Sequence, residues 1–144
     1  MRPGAGPCRG YGAVVPAVDV AREFAPDPPS VWRARRFLRE ALREHAGAAA
    51  ADLAETLLMA ANELATNAVM HARTEFTVRL VVDAGRVRVE VTDENSRVPQ
   101  PCLAPEDATS GRGLAIVDGS GLAWGIERHP GGKTVWLQAS FSDR

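Results

Sequence analysis

The 144-residue chain has only two cysteines, Cys8 and Cys102, too few and too far apart for a disulfide framework or a zinc knuckle, so they read as incidental thiols. No run of about 18 apolar residues occurs, and the opening MRPGAGPCRGYGAVVPA has no continuous apolar stretch. Neither a spanning helix nor a secretory leader is therefore expected, and the chain reads as cytoplasmic. Net charge is also lacking. The 17 Lys and Arg are interspersed with 18 Asp and Glu, leaving a formal charge of -1 and no basic footprint of a direct nucleic-acid binder. What remains, 45% hydrophobic and 24% charged residues, suits one soluble domain, able at this length to bury roughly 70% of its unfolded surface.

Residues 1–17 are rich in Gly and Pro with little to bury and are expected to form a flexible tail, with the folded domain over 18–144. VDVAREF suggests a short edge strand closed off by APDPP. Ser30 is a candidate N-cap for a helix in which Ala34, Phe37, Leu38, Ala41 and Leu42 recur at helical spacing until Gly47 offers a stop. Its outer face carries Arg33, Arg36, Arg39, Glu40 and Arg43, the pattern of an ordinary solvated face. A second helix is expected from about Asp52 to His71, with Leu53, Leu57, Met59, Ala60, Leu64 and Ala68 as its apolar positions. Residues four apart differ by only about 40° around a helix axis, so Glu63, Asn67 and His71 share one stripe. Taken alone, such a stripe would simply face water.

Beyond it, Phe76, Val78, Leu80 and Val82 alternate with Glu75, Thr77, Arg79 and Val81. Val87, Val89 and Val91 alternate in the same way with Arg86, Arg88, Glu90 and Thr92, which predicts a one-sided hairpin turning at 83–85. The same parity puts Asp93 on the valine face, where a buried carboxylate needs a partner. The plainer role for it is to cap the following loop. That loop, 94–112, holds Pro99, Pro101 and Pro105 and no periodicity, as functional lids and disordered segments do. It ends in SGRGLAIVDG, where Gly111 and Gly113 bracket Arg112 and LAIVD reads as the first turns of a short helix. Backbone N–H groups at such a start suit phosphate, although neither a P-loop nor a full dinucleotide fingerprint is present. GLAWGIERHPGGKTVWLQASF closes the chain as two strands around a Pro-Gly-Gly turn. Trp32, Trp124 and Trp136 read as core or interface aromatics.

In order and spacing, ELATNAVMHA, VEVTDENS, TSGRGLAIVDG and GGKTVW resemble the N box, G1 box, G2 box and final strand of the GHKL ATP-binding superfamily, that of gyrase, Hsp90, histidine kinases and MutL. Within it the chain is most similar to the stand-alone anti-sigma-factor serine/threonine kinases of actinobacteria, over about residues 18–141. The resemblance implies an α/β (α+β) two-layer sandwich, with a mixed, mainly antiparallel sheet, helices on one face and ATP–Mg²⁺ between the layers. It also implies roles. Asn67 would ligate Mg²⁺, for which a carboxamide oxygen is a hard ligand. Glu63 would be the base that takes the proton of an attacking hydroxyl. Asp93 would accept from the adenine amino group, with Thr134 supporting that contact. Gly111, Arg112, Gly113 and Leu114 would belong to a lid closing on the phosphates. The implied activity is phosphorylation of a serine on a STAS-type anti-anti-sigma partner, together with retention of a sigma factor by protein contact. A homodimer, no direct nucleic acid and no membrane complete the expectation.

The chain departs from the superfamily at one place. Where the G1 box has D-x-G-x-G, the run here is Asp93-Glu94-Asn95-Ser96-Arg97. Asn95 can adopt left-handed backbone as a glycine would, but it adds a side chain, and Arg97 replaces the second glycine. This departure favours the alternative of a non-enzymatic module that keeps the fold and sequesters a regulator without nucleotide. A detached catalytic domain serving a phosphoacceptor histidine elsewhere is a third reading. His71 itself reads as a structural residue ending its helix, because no dimerisation helix pair carries a phosphoacceptor histidine.

Overall fold

The computed structural model describes residues 18–47, 51–83, 85–95 and 122–140. The chain runs β1 (Val18–Phe24), α1 (Pro28–His45), α2 (Ala51–Asn67), a π-helical turn (Ala68–Ala72), β2 (Phe76–Asp83), β3 (Arg86–Asp93), β4 (Ala123–His129) and β5 (Gly132–Ser140). The strands form one sheet in the order β1-β2-β3-β5-β4, with every described pairing antiparallel. The expected edge strand, hairpin and closing strand pair are all present. Gly85 and Gly131 turn the two hairpins at φ 81° and 83°, a region that favours glycine.

Alternation along the strands sorts the sheet into two faces. Phe76, Val78, Leu80 and Val82, then Val87, Val89 and Val91, then Val135, Leu137 and Ala139 pack in one core with Leu38, Leu42, Leu57 and Leu64 of the helices. Both helices therefore lie on that one face. Each fully buried leucine contributes about 1.5–3 kcal/mol relative to exposure, and Leu38, Leu57, Leu80 and Leu137 are all fully buried.

Two helix boundaries differ from expectation. The N-cap of α1 is Asp27, whose side chain accepts from the Ser30 amide at 3.3 Å and from the Ser30 hydroxyl at 2.8 Å. Pro28 and Pro29 fit inside the first turn because the N–H groups they lack would have no intrahelical partner there. Ser30 is thus a buried first-turn residue. The second helix is regular only to Asn67. A π turn follows, closed by the Arg73 amide donating to the Ala68 carbonyl at 2.7 Å, with Arg73 in the left-handed region at φ 59°. His71 lies exposed in this turn.

Trp124 packs against the core while Trp32, 59% exposed, does not. Among the described residues no helix is long and apolar enough to cross a membrane. The tail over 1–17, Cys8, Cys102 and the stretch bearing Gly111, Arg112, Gly113 and Leu114 lie outside the described residues.

Candidate nucleotide site

The N-box stretch sits in the last turns of α2. Leu57, Leu58, Ala60, Ala61, Leu64 and Ala65 are buried, which seats the helix on the sheet beside β3 and β5. Thr66 satisfies its hydroxyl locally on the Asn62 carbonyl at 2.8 Å. Asn67 does not behave this way. It is 6% exposed, and both its Oδ1 and its Nδ2 are buried with no hydrogen-bond partner. An unmet buried amide costs roughly 1–3 kcal/mol by mutational measures, so a native chain retains one for a reason beyond packing. Glu63 lies one turn earlier on the same helical face, half-buried and engaged with a neighbour. Directly after Asn67 comes the π turn, a feature frequent at functional sites. Among the described residues no three His, Cys, Asp or Glu side chains gather into a metal site. The donor that fits a hard divalent cation is the Asn67 carboxamide oxygen, shared with ligands that a bound phosphate would bring.

At the end of β3, Asp93 lies on the core face as the strand parity predicts, opposite Phe76 in β2 and Lys133 in β5. Asp93 and Lys133 are 7% and 2% exposed. The Lys133 ammonium donates to Asp93 Oδ1 at 3.0 Å, stands 2.9 Å from Oδ2, and donates to the Asn95 carbonyl at 2.9 Å. The Asn95 amide donates to Asp93 Oδ1 at 2.9 Å. Asp93 therefore does both things its position suggested, capping the following loop and meeting a buried partner. Among the described residues only Arg73 combines a side chain with positive φ, so Asn95 does not use the left-handed backbone open to it. Gly132 makes the close approach possible, since a Cβ there would overlap the Asp93 carbonyl oxygen.

The structure separates Thr134 from Asp93. One step along a strand reverses the side chain, so Thr134 lies opposite Thr92 on the face away from the helices. Its hydroxyl is 2.8 Å from that of Thr92 and 3.2 Å from His129 Nε2. Support for the carboxylate comes from Lys133, which sequence reasoning missed. The signal for it was the same parity, since Lys133 shares a face with Val135 and Leu137.

Residues 24–139, which include α2, β3 and β5, match the family model described as a histidine kinase-like ATPase domain. An uncharacterised protein of Streptomyces coelicolor is 47% identical over 58 residues, which are 38% of this chain and 55% of that protein. The RsbU and RsbW domains of a Mycobacterium tuberculosis protein superpose with a TM-score of 0.62 at 21% identity, covering 91% of this chain and 34% of that one. The histidine kinase domain of a blue-light activated histidine kinase from Erythrobacter litoralis superposes at 0.52 and 21% identity, over 74% of this chain and 60% of that one. The chain thus spans about half the length of the curated relative and a third of the first structure. At such identities the solved structures speak for the fold, which is the same α+β arrangement. On the family match across both site-bearing layers, the chain belongs to the histidine kinase-like ATPase domain family.

Proposed function

We propose that this domain binds ATP with Mg²⁺ between α2 and the sheet and phosphorylates a serine or threonine of a STAS-type anti-anti-sigma partner, while its surface holds a sigma factor. In this reading it acts in the cytoplasm as a homodimer, with no direct contact to nucleic acid or membrane. Family membership supports the nucleotide, and the likeness to an RsbW-bearing protein supports the partner-switching context. The observation that carries the reading is the buried, unpartnered carboxamide of Asn67 one turn after Glu63.

Asn67 offers its Oδ1 to the metal and Asp93 offers a carboxylate oxygen to the adenine amino group. Bound Mg²⁺ supplies neutralisation of phosphate charge. Glu63 takes the proton as the partner's hydroxyl oxygen bonds to the γ-phosphorus, and the bond from that phosphorus to the β–γ bridging oxygen breaks, releasing ADP. Gly111, Arg112, Gly113 and Leu114 contribute backbone and side-chain donors to the phosphates from the lid. Most of the acceleration comes from holding hydroxyl and phosphorus in line.

Calorimetric titration of ATP with Mg²⁺ tests this. Wild type is expected to bind in the micromolar range, and Asn67→Ala at least about tenfold more weakly, because a metal ligand is lost. Glu63→Ala should still bind ATP yet leave the partner unphosphorylated, and the wild-type product should be acid-stable, unlike phosphohistidine. A second reading rests on Asn95 and Arg97, which stand where glycines belong. Absence of binding at millimolar ATP would establish that reading, a protein-binding module without nucleotide.

A further inference from the structure

The nucleotide reading gives no task to Lys133, although this lysine is almost fully buried at the end of the site assigned to adenine. Burying a lysine gives up its hydration and its rotamer freedom. Here the ammonium donates to Asp93 Oδ1 and to the Asn95 carbonyl, and stands 2.9 Å from Asp93 Oδ2 as its counter-ion. The Asn95 amide returns to Asp93 Oδ1, so carboxylate, ammonium and loop backbone close a ring. The ring spans the run in which Asn95 stands where the related pattern has glycine.

Counting lone pairs shows what the ring leaves open. Oδ1 accepts from Lys133 and from the Asn95 amide, while Oδ2 is paired with the ammonium by charge, so the acceptor capacity left on the carboxylate lies at Oδ2. A base that donates a single N–H there is matched. A base that presents a carbonyl oxygen meets a lone pair, and one with hydrogen at that position leaves the acceptor unfilled.

We infer that Lys133 is a positioning and specificity residue: it locks Asp93 so that one oxygen faces the base, and thereby selects 6-aminopurines over purines lacking that amino group. The inference rests on the nucleotide reading above. Its test compares ATP with purine riboside 5′-triphosphate, which lacks only the 6-amino group, and with ITP, which carries a 6-carbonyl.

Wild type should bind ATP about tenfold or more tightly than either analogue. In Lys133→Met the preference should fall to within about threefold while the affinity for purine riboside triphosphate barely changes, a pattern that general loss of structure would not produce. Lys133→Arg should keep part of the preference. Because Lys133→Met leaves a buried carboxylate uncompensated, Lys133→Met with Asp93→Asn serves as the folded control, checked by circular dichroism, and should show no preference. Undiminished preference in Lys133→Met overturns this inference alone, whereas undiminished preference in the folded double variant overturns the adenine contact assigned to Asp93 and this inference with it. Failure of wild type to bind any of the three triphosphates overturns the nucleotide reading and takes this inference with it.

Discussion

At the scale of single residues, Asn67 sets stability against function. Its carboxamide is buried without a partner, so the protein free of nucleotide carries a polar group whose hydration has been lost and not replaced. Asn67→Leu, which keeps the same number and branching of side-chain heavy atoms, should therefore raise the unfolding free energy of the nucleotide-free protein by about 1–3 kcal/mol. The same variant should lose the additional stabilisation that millimolar ATP and Mg²⁺ give wild type. Urea unfolding with and without nucleotide reads both effects. A less stable Asn67→Leu in the absence of nucleotide would show that the carboxamide is satisfied in solution. Gly132 presents the opposite case, in which a side chain is excluded. A methyl at Gly132 would drive into the Asp93 carbonyl, so Gly132→Ala should lower the thermal midpoint, with a cost of about 1–3 kcal/mol for overpacking. It should also weaken ATP binding, because Lys133 would move with the start of β5.

Elements are set by periodicity, and their ends by details that periodicity does not carry. The two-residue alternation in 76–93 revealed β2, β3, their hairpin and the inward side of Asp93, because a one-residue slip would have exposed every core-facing valine. The helices were legible from the spacing of Leu38, Leu42, Leu57 and Leu64. The stop of α1 at Gly47 and the start of α2 near Asp52 were legible too, but the start of α1 was not, because Asp27 and Ser30 are both good caps and only the two prolines between them decide the matter. The structure gives the cap to Asp27, and Asp27→Ala should cost about 1 kcal/mol in chemical denaturation. Ser30→Ala should cost less, since the Asp27 side chain keeps the Ser30 amide as its donor. The π turn after Asn67 had no sequence signal, as Ala68–Ala72 reads as ordinary helix. At the site, Glu63, Asn67 and Asp93 stood out as polar groups within apolar patterns. Lys133 and Thr134 did not: parity with Val135 and Leu137 turns Lys133 inward, but a lysine at a strand start reads first as a solvated residue.

At the scale of the whole molecule, the sheet face away from the helices is organised by charge where the other is organised by apolar packing. Asp19 in β1 pairs with Arg79 in β2, and Arg79 stands 3.7 Å from Glu90 in β3. Glu90 accepts from Arg88 at 2.7 Å, and Arg88 reaches Gln138 in β5 at 3.4 Å and Glu127 in β4 at 4.0 Å. All five strands are thus crossed by one network. Its centre is buried, with Arg88 only 1% exposed and its guanidinium 4.5 Å from the centre of the Trp136 ring. Trp136 in turn lies over Gly125, where a Cβ would come within 2.6 Å of the indole. Contact with Glu127 is one of charge alone, since Arg88 Nη2 makes no hydrogen bond. Such a network resists screening by salt because its centre is out of water. Arg88→Met would take from buried Glu90 the closer of its two arginines, leaving Arg79 at 3.7 Å, and should cost about 3 kcal/mol. Adding Glu90→Leu removes that buried charge and should recover most of the loss, because an apolar pair of similar volume forgoes the desolvation of both ions. Guanidinium midpoints of the two variants and wild type decide the matter. If both variants are destabilised alike, the network contributes through Arg88 stacking on Trp136 and its reach to β4 and β5. If the double variant recovers, the charges serve to fix strand register across the sheet, as a one-residue slip would separate Arg79 from Glu90 and Arg88 from Gln138.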